Sequence, residues 1–226
     1  MASDITRCER NAGLQRRTLP VVSTDRPALA ELVADPTQFL DADDAGIRRL
    51  AVSALANRLD DATAPLIVGL LQNDVDEAVR AEAAEVLGGD ASAIPALMTA
   101  LDDSPRVVEA AVTALGSLHH TAAVPWLIAQ ATEGEDPLVR EAAVAALGEM
   151  GDERAVATLI ELTSSGPPQV RRRAVVALTV FDAPEVESAI RVAAGDRNPM
   201  VREAAQMVVG RPDEWQSVEL RVDTER

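Results

Sequence analysis

Between Val139 and Leu147, the apolar residues Val139, Ala142, Ala143, Ala146 and Leu147 recur at i, i+3, i+4, i+7 and i+8. That spacing gathers them on one stripe of a helix. Gly148 to Asp152 interrupts the pattern, and Val156, Leu159, Ile160 and Thr163 resume it on a second helix, with Asp152 placed as its N-cap. The stretch therefore predicts a helical hairpin of about 30 residues whose two apolar stripes need a neighbour to cover them.

The same phrase returns along the chain. Its counterparts start at Ile47, Val79, Val107, Val139, Val170 and Val201, with successive spacings of 32, 28, 32, 31 and 31 residues. A period in this range predicts stacked units, an all-α solenoid of about six hairpins. Alanines at 83, 84, 110, 111, 142, 143, 204 and 205 fall at matching places in the first helices, where small side chains allow close approach between hairpins. The loops that enter the units, such as GEDPLVR and DRNPMVR, carry Pro in the first helical turn after an acidic or Asn residue, which reads as a helix start. Asp44 and Arg48, Asp76 and Arg80, and Asp136 and Arg140 lie four apart, so each pair is expected to meet along its own helix.

Composition agrees with helices. Aromatic residues make up 2% of the 226-residue chain and Tyr is absent, which leaves a core of small aliphatic contacts and disfavours sandwiches and barrels. The formal net charge of -16 opposes nucleic-acid binding, which needs clustered cations to displace phosphate counterions. All 21 basic residues are Arg, a bias that suits a GC-rich genome, and the acid excess would also suit a cytoplasm rich in salt. One cysteine, Cys8, excludes an intrachain disulfide and a thiolate metal cluster and fits a reducing cytoplasm. No run of about 18 apolar residues predicts membrane insertion. Arg16-Arg17 is followed by a segment broken by prolines and charges, so a twin-arginine export signal is set aside.

The pattern D-x-x-V-R-x-x-A-A-x-A-L-G, followed by G-D and a V-P-x-L-I helix, resembles the HEAT-like repeats first associated with phycobilin lyase subunits. It covers about residues 41 to 210. The resemblance implies a right-handed superhelix whose second helices line a concave face. Proteins with such repeats include chromophore lyase subunits, adaptors, assembly factors and subunits of larger enzymes, so activity must be argued from the irregular positions.

Two irregularities adjoin. The unit entering at Val79 is three or four residues short at Gly88-Gly89-Asp90, and the next unit has Val108 where its sisters have Arg. A shortened turn there is expected to re-aim the superhelix. Aligning the second helices on Pro65, Pro95 and Pro125 brings Leu66, Ala96, Trp126, Thr158 and Ser188 to one variable position, and Leu70, Ala100, Gln130, Leu162 and Val192 to another a turn later, with Arg191 beside it. Positions that vary while the core stripe persists are expected to face the groove. The candidate partner-binding residues are accordingly Leu66, Leu70, Trp126, Gln130, Thr158, Leu162 and Arg191, with Trp126 as anchor, because Trp so often dominates interfaces. The alternative role for Trp126 is to fill a gap in the irregular unit.

His119 and His120, the only histidines, lack a third ligand and read as a loop or cap. Metal-binding HEAT hydroxylases use repeated His-Glu pairs, which this chain lacks. No nucleophile has a convincing base and no phosphate loop appears, so neither catalysis, cofactor nor metal is expected.

Four regions follow. Residues 1–24 form a basic arm of net charge +2, with Arg16 and Arg17 as candidate contacts. Residues 25–40 form a capping helix or half-repeat, residues 41–210 form the solenoid, and residues 211–226 form an extended tail with Trp215 as a further anchor. The expected function is a cytoplasmic, non-catalytic scaffold that binds another protein as adaptor, assembly factor or accessory subunit of a larger complex, a redox complex included. The alternative is a bilin lyase or isomerase subunit, which the scarcity of aromatics makes hard to furnish with a pocket.

Overall fold

A computed structural model describes residues 29–210. A short helix, α1 (Leu29–Ala34), and a 3-10 turn (Pro36–Phe39) precede five hairpins. These are α2 (Ala45–Ala54) with α3 (Ala64–Asn73), α4 (Glu77–Val86) with α5 (Ile94–Thr99), α6 (Pro105–Ser117) with α7 (Val124–Glu133), α8 (Pro137–Met150) with α9 (Val156–Leu162), and α10 (Pro168–Leu178) with α11 (Pro184–Ala193). The first helix of a further unit, α12 (Pro199–Val209), ends the described chain. All regular elements among the described residues are helical, as the periodicity requires. None is long and apolar enough to cross a membrane.

The helix starts follow from the loop chemistry. Asp44, Asp76 and Asp136 each accept hydrogen bonds from two backbone amides of the first turn, and Asn198 accepts one. The aspartates expected to pair with Arg four residues on are thus engaged as N-caps, and the arginines turn elsewhere. In the short unit, Leu87–Gly89 forms a 3-10 turn, and the second helix α5 has six residues and closes in another at Ala100–Asp102.

Each first helix stacks on the first helices before and after it, whereas the second helices scarcely touch one another. Each second helix packs on the first helix of the following unit more than on that of its own. The hairpins therefore interlock, and no unit completes its core alone. Val52, Ile67, Leu87, Leu97, Leu115, Leu127, Leu147, Leu159 and Leu178 are fully buried and run as a continuous core along the stack. Each contributes about 1.5–3 kcal/mol by burial.

Close stacking depends on the glycine that follows Leu at the end of the first helix in three units, at Gly88, Gly116 and Gly148. A Cβ on Gly88 would lie 3.3 Å from the Cα of Ala114, one on Gly116 would lie 3.2 Å from the Cα of Ala146, and one on Gly148 only 2.6 Å from that of Ala177. Absence of a side chain at these positions lets consecutive first helices approach, most tightly between α8 and α10.

Candidate binding site at the interrupted unit

The arginine four residues beyond each N-cap builds a ladder through the loops. Arg48 donates from Nε and Nη2 to the two carboxylate oxygens of Asp74, both at 2.7 Å, and from Nη1 to the Ala42 carbonyl at 2.7 Å. Arg80 does the same to Asp103, at 2.7 Å twice, and to the Asp74 carbonyl at 2.8 Å. Arg171 binds Asp196 at 2.8 Å twice and the Gly166 carbonyl at 2.8 Å. Each rung ties three segments together: the loop entering a unit, its first helix and the loop leaving it. A planar guanidinium suits this task, since two parallel donors match a carboxylate while a third remains for a carbonyl. Hydrogen bonds from the arginines hold the Asp74, Asp103 and Asp196 carboxyls below their ordinary range, against the opposing effect of burial.

Two consecutive rungs are interrupted. At the first, Val108 replaces Arg, and Gly134 stands two residues before the Asp136 cap, where Asp74 and Asp196 stand in their units. A Cβ on Gly134 would lie 2.5 Å from the Gln130 carbonyl oxygen, so no carboxylate fits there without backbone movement. At the second, Arg140 is present, but Ser165 takes the place of the acid and donates to the Glu161 carbonyl. Among the described residues Arg140 binds only the Thr132 carbonyl, at 3.3 Å, and its buried Nε has no partner.

A cavity of about 490 Å³ opens at the first interruption. Its walls include Asp103, Val108 and Gly134, the counterparts of the entering loop, helix and leaving loop of an intact rung, together with Trp126, Gln130, Glu133 and Glu135. Trp126 is half-buried against the core and also lines this space, so it fills part of the gap and faces what remains. Glu133 and Glu135 are exposed and make no ion pair among the described residues.

The other candidates scatter. Leu66 is exposed, while Leu70, Gln130 and Thr158 are half-buried on the second helices. Leu162 is corrected: it is 3% exposed and belongs to the core, because α9 turns that position inward. Ala96 and Ala100, at the same two variable positions, are buried as well, so variation along the chain does not mark exposure there. The last unit was aligned one residue out of register, since Ile190 is the buried counterpart of Leu127 and Leu159, which makes Ala189 rather than Ser188 the equivalent of Trp126. Arg191 is exposed and pairs with Glu187 on its own helix at 2.6 Å. Glu133 and Glu135 were missed. Reading the acid two residues before each cap together with the arginine would have exposed the paired loss at Val108 and Gly134. Arg16, Arg17 and Trp215 lie outside the described residues.

The histidines serve the turn after α6. His119 takes a left-handed backbone (φ 48°) and donates its amide to the Gly116 carbonyl, as a helix C-cap does, and His120 donates to that of Leu115. No group of three potential metal ligands occurs among the described residues.

The family model for HEAT repeats matches residues 33–112, 94–174 and 157–220. The chain belongs to the HEAT-repeat family. Solved structures agree on this fold. A chain of the complex of CpcE and CpcF of phycocyanin lyase from Nostoc sp. is 20% identical, with a TM-score of 0.56 over 66% of this HEAT-repeat chain and 99% of that one. YibA of Escherichia coli is 19% identical with a TM-score of 0.58, over 80% and 74% of the two chains. A designed armadillo repeat protein is 19% identical with a TM-score of 0.56, over 80% and 98%. No match was found among curated proteins. These likenesses establish the α-solenoid anticipated from the repeat.

Proposed function

We propose that this HEAT-repeat chain is a non-catalytic scaffold that binds another protein across its second-helix face, centred on Trp126, as an adaptor, assembly factor or accessory subunit of a larger complex in the cytoplasm. The observation that carries the reading is a half-buried tryptophan lining an open cavity where, among the described residues, the stack loses two consecutive rungs. Half-buried Trp beside a concavity is the usual form of an interface anchor. Leu66, Leu70, Gln130 and Thr158 extend the contact along the same layer, Arg191 continues it on α11, and Arg16, Arg17 and Trp215 are further contacts from the two arms.

The test is co-purification of the tagged chain from its own host at low and high salt, comparing wild type with Trp126→Glu/Gln130→Arg. A partner held at constant ratio by wild type and lost by the double variant, with the melting temperature kept within a few degrees, is the expected result. Equal capture by both removes this face from the account.

A second reading, a bilin lyase subunit, draws on the fold likeness to the phycocyanin lyase chain. The cavity fits it poorly, because a linear tetrapyrrole carries propionate carboxylates and four acidic residues line this space. Incubation with a linear tetrapyrrole and an acceptor protein would give an absorbance shift if the second reading holds.

A further inference from the structure

Where Arg48, Arg80 and Arg171 stand in their units, each guanidinium spans from an entering loop to a leaving loop, with Nη1 on a carbonyl of the first and Nε and Nη2 on the carboxylate of the second. In the interrupted unit the three anchor positions survive as cavity walls without the side chain that joins them. Val108 is too short to cross, and Gly134 cannot carry an acid. Acidity has not been lost from the space but moved. Glu133 and Glu135 flank Gly134, and neither has an ion-pair partner among the described residues, while Asp103 is neutralised by Arg80 and Asp136 caps α8. Trp126 adds an aromatic wall, a surface on which guanidinium groups stack.

We infer that this cavity is a vacant rung, and that the partner protein completes it by inserting an arginine side chain between Trp126, Glu133 and Glu135. The inference rests on the scaffold reading and names the chemistry of its anchor point. Three intact rungs in the same molecule show what a guanidinium does in this setting, and the net charge of -16 favours a cationic visitor over an anionic one. Arg140 lies beside Gly134, with its Cγ 3.1 Å from a Cβ built there, but is not one of the residues that line the cavity. Lysine fits less well, since a single ammonium cannot span two separated carboxylates and an aromatic wall at once.

The experiment uses the full chain with Trp215→Phe, which leaves Trp126 as the only tryptophan, because the chain has two. Acetyl-Ala-Arg-Ala-amide is titrated at 150 mM salt while the indole N–H resonance of Trp126 is followed, with the Gln peptide as the neutral control. The expected result is a saturable shift with the Arg peptide alone. Val108→Arg, which supplies the missing side chain from within, should weaken it at least tenfold, whereas Thr113→Arg, an exposed site on the same helix that adds the same charge, should leave it unchanged. Should Val108→Arg fail to fold, Glu133→Gln/Glu135→Gln tests the same slot and should weaken binding at least fivefold.

Equal shifts with the Gln peptide, or equal effects of Val108→Arg and Thr113→Arg, overturn the inference. A tenfold gain in affinity on deleting residues 1–24 would assign the slot to the chain's own arginines and also overturn it. Failure of these peptide titrations leaves the scaffold reading standing, because that is judged separately by partner capture with the Trp126→Glu/Gln130→Arg variant.

Discussion

At Arg171 and at Arg140 the same residue type stands four places beyond a helix N-cap, yet the two guanidiniums end in different surroundings. Arg171 has a side chain 2% exposed and is fully answered: Asp196 takes two donors and the Gly166 carbonyl takes a third. Arg140 keeps one long bond to a carbonyl and a buried Nε with none. The contrast shows that the ladder's worth lies in completed pairs and not in the recurrence of Arg. It also marks the place where the ladder breaks, in two adjoining units, one of which carries Trp126.

Acid should act on all the intact rungs at once. The Asp74, Asp103 and Asp196 carboxyls are held low, first by hydrogen bonds from their arginines. Their folded pKa values therefore lie below the unfolded value of about 3.9, so the unfolded chain takes up protons first as pH falls. The stability they supply is complete above that value and is lost as pH drops through the folded values. Glu85 works in the opposite sense, raised first by burial and then by Glu82 and Glu109, but it is a single group. The urea midpoint should stay flat from pH 7 to about 5 and fall steeply below about 4. If self-repulsion of the acidic surface outweighed the ladder, the midpoint would instead rise on acidification.

Removal of one partner from the most buried rung isolates the same effect. Asp196→Ala strands a guanidinium that is almost fully enclosed, and the cost expected from such uncompensated charges is about 3–5 kcal/mol. The loss also frees the Asn198 amide that Asp196 accepts at 2.7 Å. Ser165→Ala, at the interrupted rung, should cost less than about 0.5 kcal/mol, because Ser165 is bonded to Glu161 and not to Arg140. Chemical denaturation of the two variants side by side gives the comparison directly, and similar losses would contradict it.

Gly148→Ala probes the stacking that the ladder edges. With a Cβ 2.6 Å from Ala177, α8 and α10 must separate, at an expected cost of about 1–3 kcal/mol. Gly88→Ala, where the approach is 3.3 Å, should cost less. Melting temperatures that fall in the reverse order would mean that the close approach is not what sets inter-unit stability.

The repeat was legible in the sequence because its signal is written many times over. A stripe at i, i+3 and i+4, an Asp before it and a Gly after it each report one local requirement, and their recurrence removes ambiguity. The site was less legible. Trp126 stood out as the odd residue at its position, and Val108 as a missing Arg. Yet Asp44, Asp76 and Asp136 were assigned to the wrong partners, because capping and ion pairing compete for the same carboxylate and the cap lies two or three residues away. Arg48 instead reaches 26 residues along the chain, which helical spacing cannot reveal. Leu162 was misplaced for a similar reason: a second helix that packs on the next unit turns inward positions that its own hairpin would leave out.

Ser165→Asp asks whether the interruption at Arg140 is a missing acid and nothing more. Ser165 stands two residues before the Pro167 cap position, as Asp74 stands before Asp76 and Asp196 before Asn198. The intact rungs show that a carboxylate at this place meets Nε and Nη2 together. Gly166 beside it has φ +82° and lies against Arg140, whose Nη2 would be 3.6 Å from a Cβ built there. Satisfying a buried guanidinium nitrogen and adding a charge-assisted pair should raise stability by about 1 kcal/mol, after allowing for the bond to Glu161 that Ser165 gives up. Thermal unfolding at pH 7 reads the gain, and the same measurement at pH 3 should show it reduced, since an acid paired with arginine has a lowered folded pKa and its contribution shrinks once pH falls below the unfolded value of about 3.9. A gain undiminished at pH 3 would place its origin outside the ion pair. No gain at either pH would mean that Arg140 has settled toward Thr132 in a way that an acid at 165 cannot reverse, and the two interruptions would then differ in kind: an empty slot at Val108 and a redirected arginine at Arg140.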